Sequence, residues 1–155
     1  MDEIIKNLWI ASFIDIARYK TKQAQFDEIV NVAYELDDCK FYTKHFMLYD
    51  GEPIQTDVRI RNKQYFLNAI EYVYASLQKG NKILVHCQAG VSRSASVIIG
   101  VLMKLKTKGE YYEPNYQYMR KKHPNTLPAP FFVSILTKIE FKTRNRKKIE
   151  YYGDE

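Results

Sequence analysis

Residues 82–96 read KILVHCQAGVSRSAS, and the order of residue types in this stretch sets the fold. Ile83 to Val85 is an apolar run of the length expected for a short buried strand. It delivers His86 and Cys87 into a seven-residue loop that closes at Arg93, after which an apolar, alanine-containing segment continues as a helix. Strand, tight loop and helix start make an anion cradle, because successive backbone N–H groups converge on one point and the positive end of the helix faces it. A cysteine at the mouth of such a cradle is expected to be a thiolate near neutral pH, since the amides, the dipole and Arg93 all favour its charged form. One loop thus supplies a nucleophile and an oxyanion site, which points to phosphoryl chemistry through cysteine.

The flanking sequence supplies the frame for that loop. Before it, Ile4 to Ile10 suits an early strand with Ala11 and Ser12 as a turn, and Ile14 to Phe26 has mixed helical character. Glu28 to Ala33 is rich in β-branched residues and reads as a buried strand, Tyr34 to Lys44 as a polar loop, and His45 to Tyr49 as a third strand ending in the turn chemistry of Asp50-Gly51-Glu52-Pro53. Phe66, Ile70, Val73 and Leu77 then share one helical face, with Gly80 as its stop. After the loop, Val97, Ile98, Val101, Leu102 and Leu105 make a buried helix. Tyr112, Tyr116 and Met119 mark a shorter one stopped by Pro124, and Phe132, Ile135, Leu136 and Ile139 form a last amphipathic helix. Strands alternating with helices, then helices in a row, predict an α/β fold with a mostly parallel central sheet flanked by helices. In such sheets ligands bind at the carboxyl ends of the strands, where Cys87 and Asp50 both fall.

The 155 residues fit one domain over residues 1–141, followed by a tail, 142–155, that is basic and then acidic. Cys39 and Cys87 stand far apart with no CxxC or His clustering, so neither a disulfide scaffold nor a metal site is expected, and no cofactor is needed. A working thiolate suits a reducing cytoplasmic or nuclear setting. No apolar run approaches the ~20 residues of a membrane span. The net charge of +6 suits nucleic acid, membrane or a phosphorylated substrate, and does not choose among them.

Within the loop, Cys87 is the candidate nucleophile. Arg93 offers a planar fork for two phosphate oxygens, and Gly90 permits the turn that aims the amides inward. Gln88, Ala89, Val91 and Ser92 supply the remaining cradle. Ser94 can donate to the Cys87 sulfur as it leaves, or cap the helix. His86 orients the loop, whereas His45 and His123 have no evident partners in the sequence. A leaving alkoxide needs a proton from an acid across the cradle. Asp50, at a strand end, is the first candidate. Asp57, which also fits a helix N-cap, is the alternative.

HCQAGVSRS matches HCxxGxxR(S/T), the signature of the cysteine-dependent protein tyrosine phosphatase superfamily. The continuation SRSASVIIGVLMKL resembles its dual-specificity, VH1-like branch, as do LWIAS at Leu8 to Ser12, NVAYEL at Asn31 to Leu36 and HPNTLPAPFF at His123 to Phe132. The resemblance implies the family's fold and a two-step mechanism with Cys87, Arg93 and an aspartic acid. The chain departs from the family in two places. The family's acid usually stands about 31 residues before the cysteine. That spacing favours Asp57, while the order of strand, acid and second aspartate in FMLYDGEPIQTDV favours Asp50 with a longer loop. The family's Pro-Asn is here Pro128-Ala129, so any bracing by that asparagine is missing or supplied elsewhere.

Gln88, Ala89, Val91 and Ser92 are neutral, whereas multiply charged substrates need more than one cation. A phosphorylated protein is therefore the expected partner, with phosphotyrosine and phosphoserine or phosphothreonine as the groups hydrolysed. Nucleic acid is not expected. The competing classes are a catalytically weak phosphoprotein-binding module and an RNA 5′-end or phosphoinositide phosphatase, the latter drawing on Lys142, Arg144, Arg146, Lys147 and Lys148.

Overall fold

A computed structural model describes residues 1–18, 25–36, 42–139 and 141, and its sheet is built outward from the strand that carries Cys87. This strand, β5 (Ile83–Cys87), is buried along its whole length. Its uninterrupted apolar run follows from being covered on both faces. β2 (Leu8–Ser12) and β3 (Glu28–Asn31) flank it in parallel. β4 (Lys44–His45) adds in parallel to β3, and β1 (Asp2–Ile5) closes the other edge antiparallel to β2, giving the order β1-β2-β5-β3-β4. The sheet is mostly parallel, as the sequence predicts. Ser12 pairs with Cys87 and Asn31 with His86, so three strands end level with one another beneath the loop.

Alternate residues of β2, β3 and β5 belong to different apolar clusters, as the pleat of a sheet places them on opposite faces. Leu8, Ile10, Val30, Ile83 and Val85 join the larger core with Phe66, Ile70, Val73, Ile98 and Phe132. That core lies under α2 (Thr56–Gln78), α3 (Arg93–Leu105), α4 (Tyr112–Lys122) and α5 (Pro130–Lys138). On the opposite face Ala11, Ile29 and Leu84 meet Ile16 of α1 (Phe13–Arg18) in a smaller cluster. α3 is the helical centre, and every residue from Arg93 to Lys104 is buried. No helix among the described residues is long and apolar enough to cross a membrane.

The predicted elements need four corrections. Ile4 to Ile10 is not one strand but the β1–β2 hairpin, turned at Lys6 and Asn7, where Asn7 takes a left-handed φ of 73°. Asparagine tolerates that region better than most residues. Ala11 and Ser12, expected as a turn, complete β2. β3 stops at Asn31 rather than Ala33, because the Asn31 side chain accepts from Ala33 N–H at 2.8 Å and donates to Leu36 O at 3.1 Å, bending the chain into a 3-10 turn at Tyr34–Leu36. The strand expected over His45 to Tyr49 pairs only at Lys44–His45. Beyond it, Tyr49 exchanges backbone bonds with the Asn62 side chain on α2, and Leu48 O accepts from Tyr34 N–H and from Arg93. Backbone groups satisfied in this way have no ladder to extend. The helical character expected from Ile14 is confined to α1 among the described residues. Cys39 and the tail from Lys142, with its basic cluster, lie outside them.

Candidate active site

The loop between β5 and α3 is held in shape from outside. A trans peptide points its C=O and the next N–H in opposite directions, and the chain contains no cis bond among the described residues. Gln88 O accepts from Phe13 N–H at 3.0 Å, Gly90 O faces His123 Nε2 at 2.7 Å, and Val91 O accepts from Leu127 N–H at 2.9 Å. Each of these struts draws a carbonyl away from the loop's centre, so the amides of Ala89, Val91 and Ser92 point the other way. Those three residues line a cavity of about 640 Å³, together with Asp50, Cys87, Arg93 and the segment from Leu127 to Pro130, whereas Gln88 and Gly90 do not. Carbonyls anchored in this way turn the amides that follow them inward, as an anion cradle needs.

Cys87 sits at the floor of the cavity, only 2% exposed. Its Sγ accepts from Gly90 N–H at 3.2 Å and lies 3.1 Å from Ser94 Oγ. Gly90 has φ 71°, and a side chain there would press on the Ala11 and Ser12 backbone at 3.1 to 3.2 Å, so glycine alone fits. Ser94 is not the N-cap of α3. Ser92 holds that position, which leaves the Ser94 hydroxyl free to face the sulfur. Ser92 Oγ instead accepts from Ala129 N–H at 2.9 Å. That bond, with the one from Leu127, braces the 127–130 segment against the loop where the family's asparagine is replaced by Ala129.

Arg93 is buried and fully oriented. Nη1 and Nη2 each donate to the Glu35 carboxylate at 2.6 Å, and Nη1 also donates to Leu48 O at 3.0 Å. A guanidinium has five N–H groups. These bonds leave one edge, Nε–H with the remaining Nη2–H, and Nε is buried with no partner among the described residues. Two parallel donors on one edge are the geometry that grips two oxygens of a phosphate. Burial alone would lower the Arg93 pKa, but Glu35, with contributions from Cys87 and Asp50, more than offsets it and holds the value above the ordinary one. Reciprocally, the Arg93 hydrogen bond holds the Glu35 carboxyl below the usual carboxylate range.

His86 lies behind the cradle. Its Nδ1 is 3.4 Å from Cys87 O, and burial pushes its pKa down to about 4, so the ring is neutral at physiological pH. Asp50 is exposed and lines the cavity. Asp57 is absent from that lining; it stands in the first turn of α2, its carboxylate 3.9 Å from Arg61. Nor is it the N-cap, a place taken by Gln55.

Two residues of the site escape a reading of the sequence. Glu35 falls in a stretch expected to be a polar loop. The available signal is a carboxylate just past the end of a strand adjacent to β5, in a stretch that also holds Asp37 and Asp38, opposite an arginine that needs a counter-charge. His123, expected to lack partners, bridges Gly90 O and the Asp2 carboxylate, 2.7 Å from each. His45, read the same way, has its Nε2 2.9 Å from Ala33 O.

Comparison with known proteins agrees with this geometry. The family described as "Dual specificity phosphatase, catalytic domain" matches residues 8–142. The 123R protein of invertebrate iridescent virus 6, named as a tyrosine phosphatase, is 27% identical over 138 residues, covering 89% of this chain and 90% of its own. Human dual specificity protein phosphatase 4 is 27% identical over 139 residues, and the chain spans only 34% of that relative's length. Among solved structures, human DUSP28 superposes with a TM-score of 0.70 at 22% identity, covering 90% of this chain and 91% of that one, which shows the shared fold. With a matching family over most of its length and a phosphate cradle of the corresponding architecture, the chain belongs to the dual specificity phosphatase catalytic-domain family.

Proposed function

We propose that this protein hydrolyses phosphotyrosine and phosphoserine or phosphothreonine monoesters of proteins through a phosphocysteine at Cys87. What supports this reading is that Arg93, whose Nε has no partner among the described residues, lines one cavity with Cys87, Ala89, Val91 and Ser92. In the first step the sulfur forms a bond to phosphorus as the bond from phosphorus to the ester oxygen breaks. The departing oxygen takes a proton from Asp50. Arg93 and the amides stabilise the charge that spreads over the equatorial oxygens. In the second step water attacks phosphorus, returns a proton to Asp50 and expels the sulfur, which the Ser94 hydroxyl stabilises by donating to it. The products are the free hydroxyl and inorganic phosphate. Support for Asp50 over Asp57 is its place in the cavity wall.

Substrate class follows from the lining. Besides Arg93, Cys87, Asp50 and Ser92 the lining is apolar, from Ala89, Val91 and the 127–130 segment, and it holds no lysine. That suits one phosphate on an otherwise weakly charged side chain rather than a phosphoinositide or a 5′-triphosphate. The working setting we propose is the cytoplasm, where thiols stay reduced.

An assay of phosphotyrosine and phosphothreonine peptides, a phosphoinositide and a triphosphate-ended RNA tests the reading. Phosphate release from the peptides is expected. Cys87→Ser should abolish it while phosphopeptide binding persists. Release only from the lipid or the RNA would overturn the substrate class. Binding without any release by the unmodified protein would make it a phosphoprotein-binding module instead.

A further inference from the structure

The three struts that shape the cradle differ in kind. Phe13 and Leu127 brace it with backbone N–H groups, which no substitution other than proline removes. The middle strut comes from the His123 imidazole. It acts on the loop's least constrained residue, Gly90, which sits at φ 71° and whose own N–H donates to the Cys87 sulfur. Glycine gives the adjoining peptide more rotational freedom than any other residue would. Rotation of the Gly90–Val91 peptide would bring a carbonyl oxygen to the side where the Val91 N–H now points, replacing a donor to an oxyanion by a repulsive acceptor.

We propose that His123 is a positioning residue for the oxyanion cradle, holding the Gly90 carbonyl outward by donating from Nε2 and so keeping the Val91 amide aimed at the phosphate. The ring is placed for this from both sides. Its backbone C-caps α4, with N–H bonded to Met119 O and its carbonyl accepting from Thr126 N–H and Oγ–H. Its Nδ1 faces the Asp2 carboxylate on β1 at 2.7 Å, so both ring nitrogens meet acceptors and Nε2 must carry a proton for the strut to exist. His123 is not among the residues lining the cavity, and its side chain reaches the cradle through Gly90 O. This inference rests on the phosphatase reading for its kinetic consequence, but not for its anion-binding consequence.

The test compares His123→Ala, His123→Gln and Asp2→Ala with the unmodified protein. Inorganic phosphate and tungstate binding are followed by calorimetry, kcat and KM by turnover of an aryl phosphate, and folding by thermal melting. Glutamine carries an amide donor where His Nε2 stands but cannot pair with Asp2 as a cation. His123→Ala is expected to weaken phosphate binding and lower kcat/KM by about tenfold, the equivalent of one lost hydrogen bond of about 1.4 kcal/mol. His123→Gln should restore most of both. Asp2→Ala should retain them, because a neutral ring can still place its proton on Nε2. The proposal is overturned if His123→Ala binds phosphate like the unmodified protein. It is equally overturned if Asp2→Ala reproduces the loss and glutamine fails to rescue it while both variants remain folded, since the histidine would then be only a fold anchor. An unmodified protein that binds phosphate yet turns over no ester would refute the catalytic reading and leave the strut standing. One that binds no phosphate would refute both.

Discussion

Asp50 and Asp57 are seven positions apart and differ in what they face. Asp50 borders the cavity, and Asp57 faces Arg61 along the surface of α2. A general acid matters most when the leaving oxygen is basic, because a poor leaving group cannot depart as an anion. Asp50→Asn is therefore expected to cut kcat by about 10²-fold or more on a phosphothreonine peptide, and by less on a nitrophenyl ester whose phenoxide leaves readily. Asp57→Asn should leave both rates near those of the unmodified protein. Steady-state kinetics on the two substrates decides the matter, and the opposite ranking would transfer the acid role to Asp57. Glu35 shows how single residues can be hidden in a sequence. Cys87, Gly90, Arg93 and Ser94 lie within one short stretch, from the end of β5 to the start of α3, so the chemistry expected of them is legible from spacing alone. Glu35 is 58 positions from Arg93 and becomes its partner only because β3 and β5 are neighbours. The strut donors Phe13, His123 and Leu127 are hidden for the same reason.

Among the elements, α3 is the one that every other helix of the larger core must accommodate. Its Gly100 lies where α2 and α5 approach most closely. A Cβ built there would stand 2.4 Å from Ile70 Cδ1, 2.8 Å from Ile70 Cγ1 and 3.4 Å from Leu136 Cδ2. Alanine in a helix interior gains about 0.5–1 kcal/mol over glycine, whereas overpacking a filled core costs about 1–3 kcal/mol. Ile70 is fully buried and has little space to yield, so the second effect wins. Gly100→Ala should lower the melting temperature by several degrees with kcat/KM unchanged, because Arg93 and Ser94 lie more than a turn away. An unchanged or raised melting temperature would show that Ile70 repacks freely. Helices such as α2 and α3 were readable because their apolar period persists over several turns. β1 to β4 depart from the predicted bounds because short strands are delimited by where hydrogen bonds go. Asn7 redirects them by a left-handed φ, Asn31 by side-chain bonds to Ala33 and Leu36, and Asn62 by bonds to Tyr49, none of which hydrophobic patterning registers.

For the molecule as a whole, burial of His86 ties stability to pH. Its pKa falls from 6.5 to about 4 on folding, chiefly because desolvation disfavours the imidazolium. The unfolded chain therefore binds more protons between those values. The stabilisation is fully present above about pH 6.5 and is lost as pH falls towards 4, an effect of about 3 kcal/mol. The Glu35 carboxyl, whose pKa is also lowered, loses its contribution at still lower pH. Urea unfolding at a series of pH values should show this decline, and His86→Gln should flatten it between pH 6.5 and 4; an undiminished slope in that variant would assign the decline to other groups. The strapped loop has a thermodynamic consequence of its own. Fixing a residue's backbone costs about 1–2 kcal/mol in conformational entropy, and the struts impose that cost on residues 88–92 during folding, before any ligand arrives. An incoming oxyanion thus meets a receptor already ordered, and its binding free energy is not reduced by having to freeze the chain around it. The strut hydrogen bonds offset that ordering in the folded state, so affinity for the anion is set in part by bonds made on the outer side of the loop, away from the ligand.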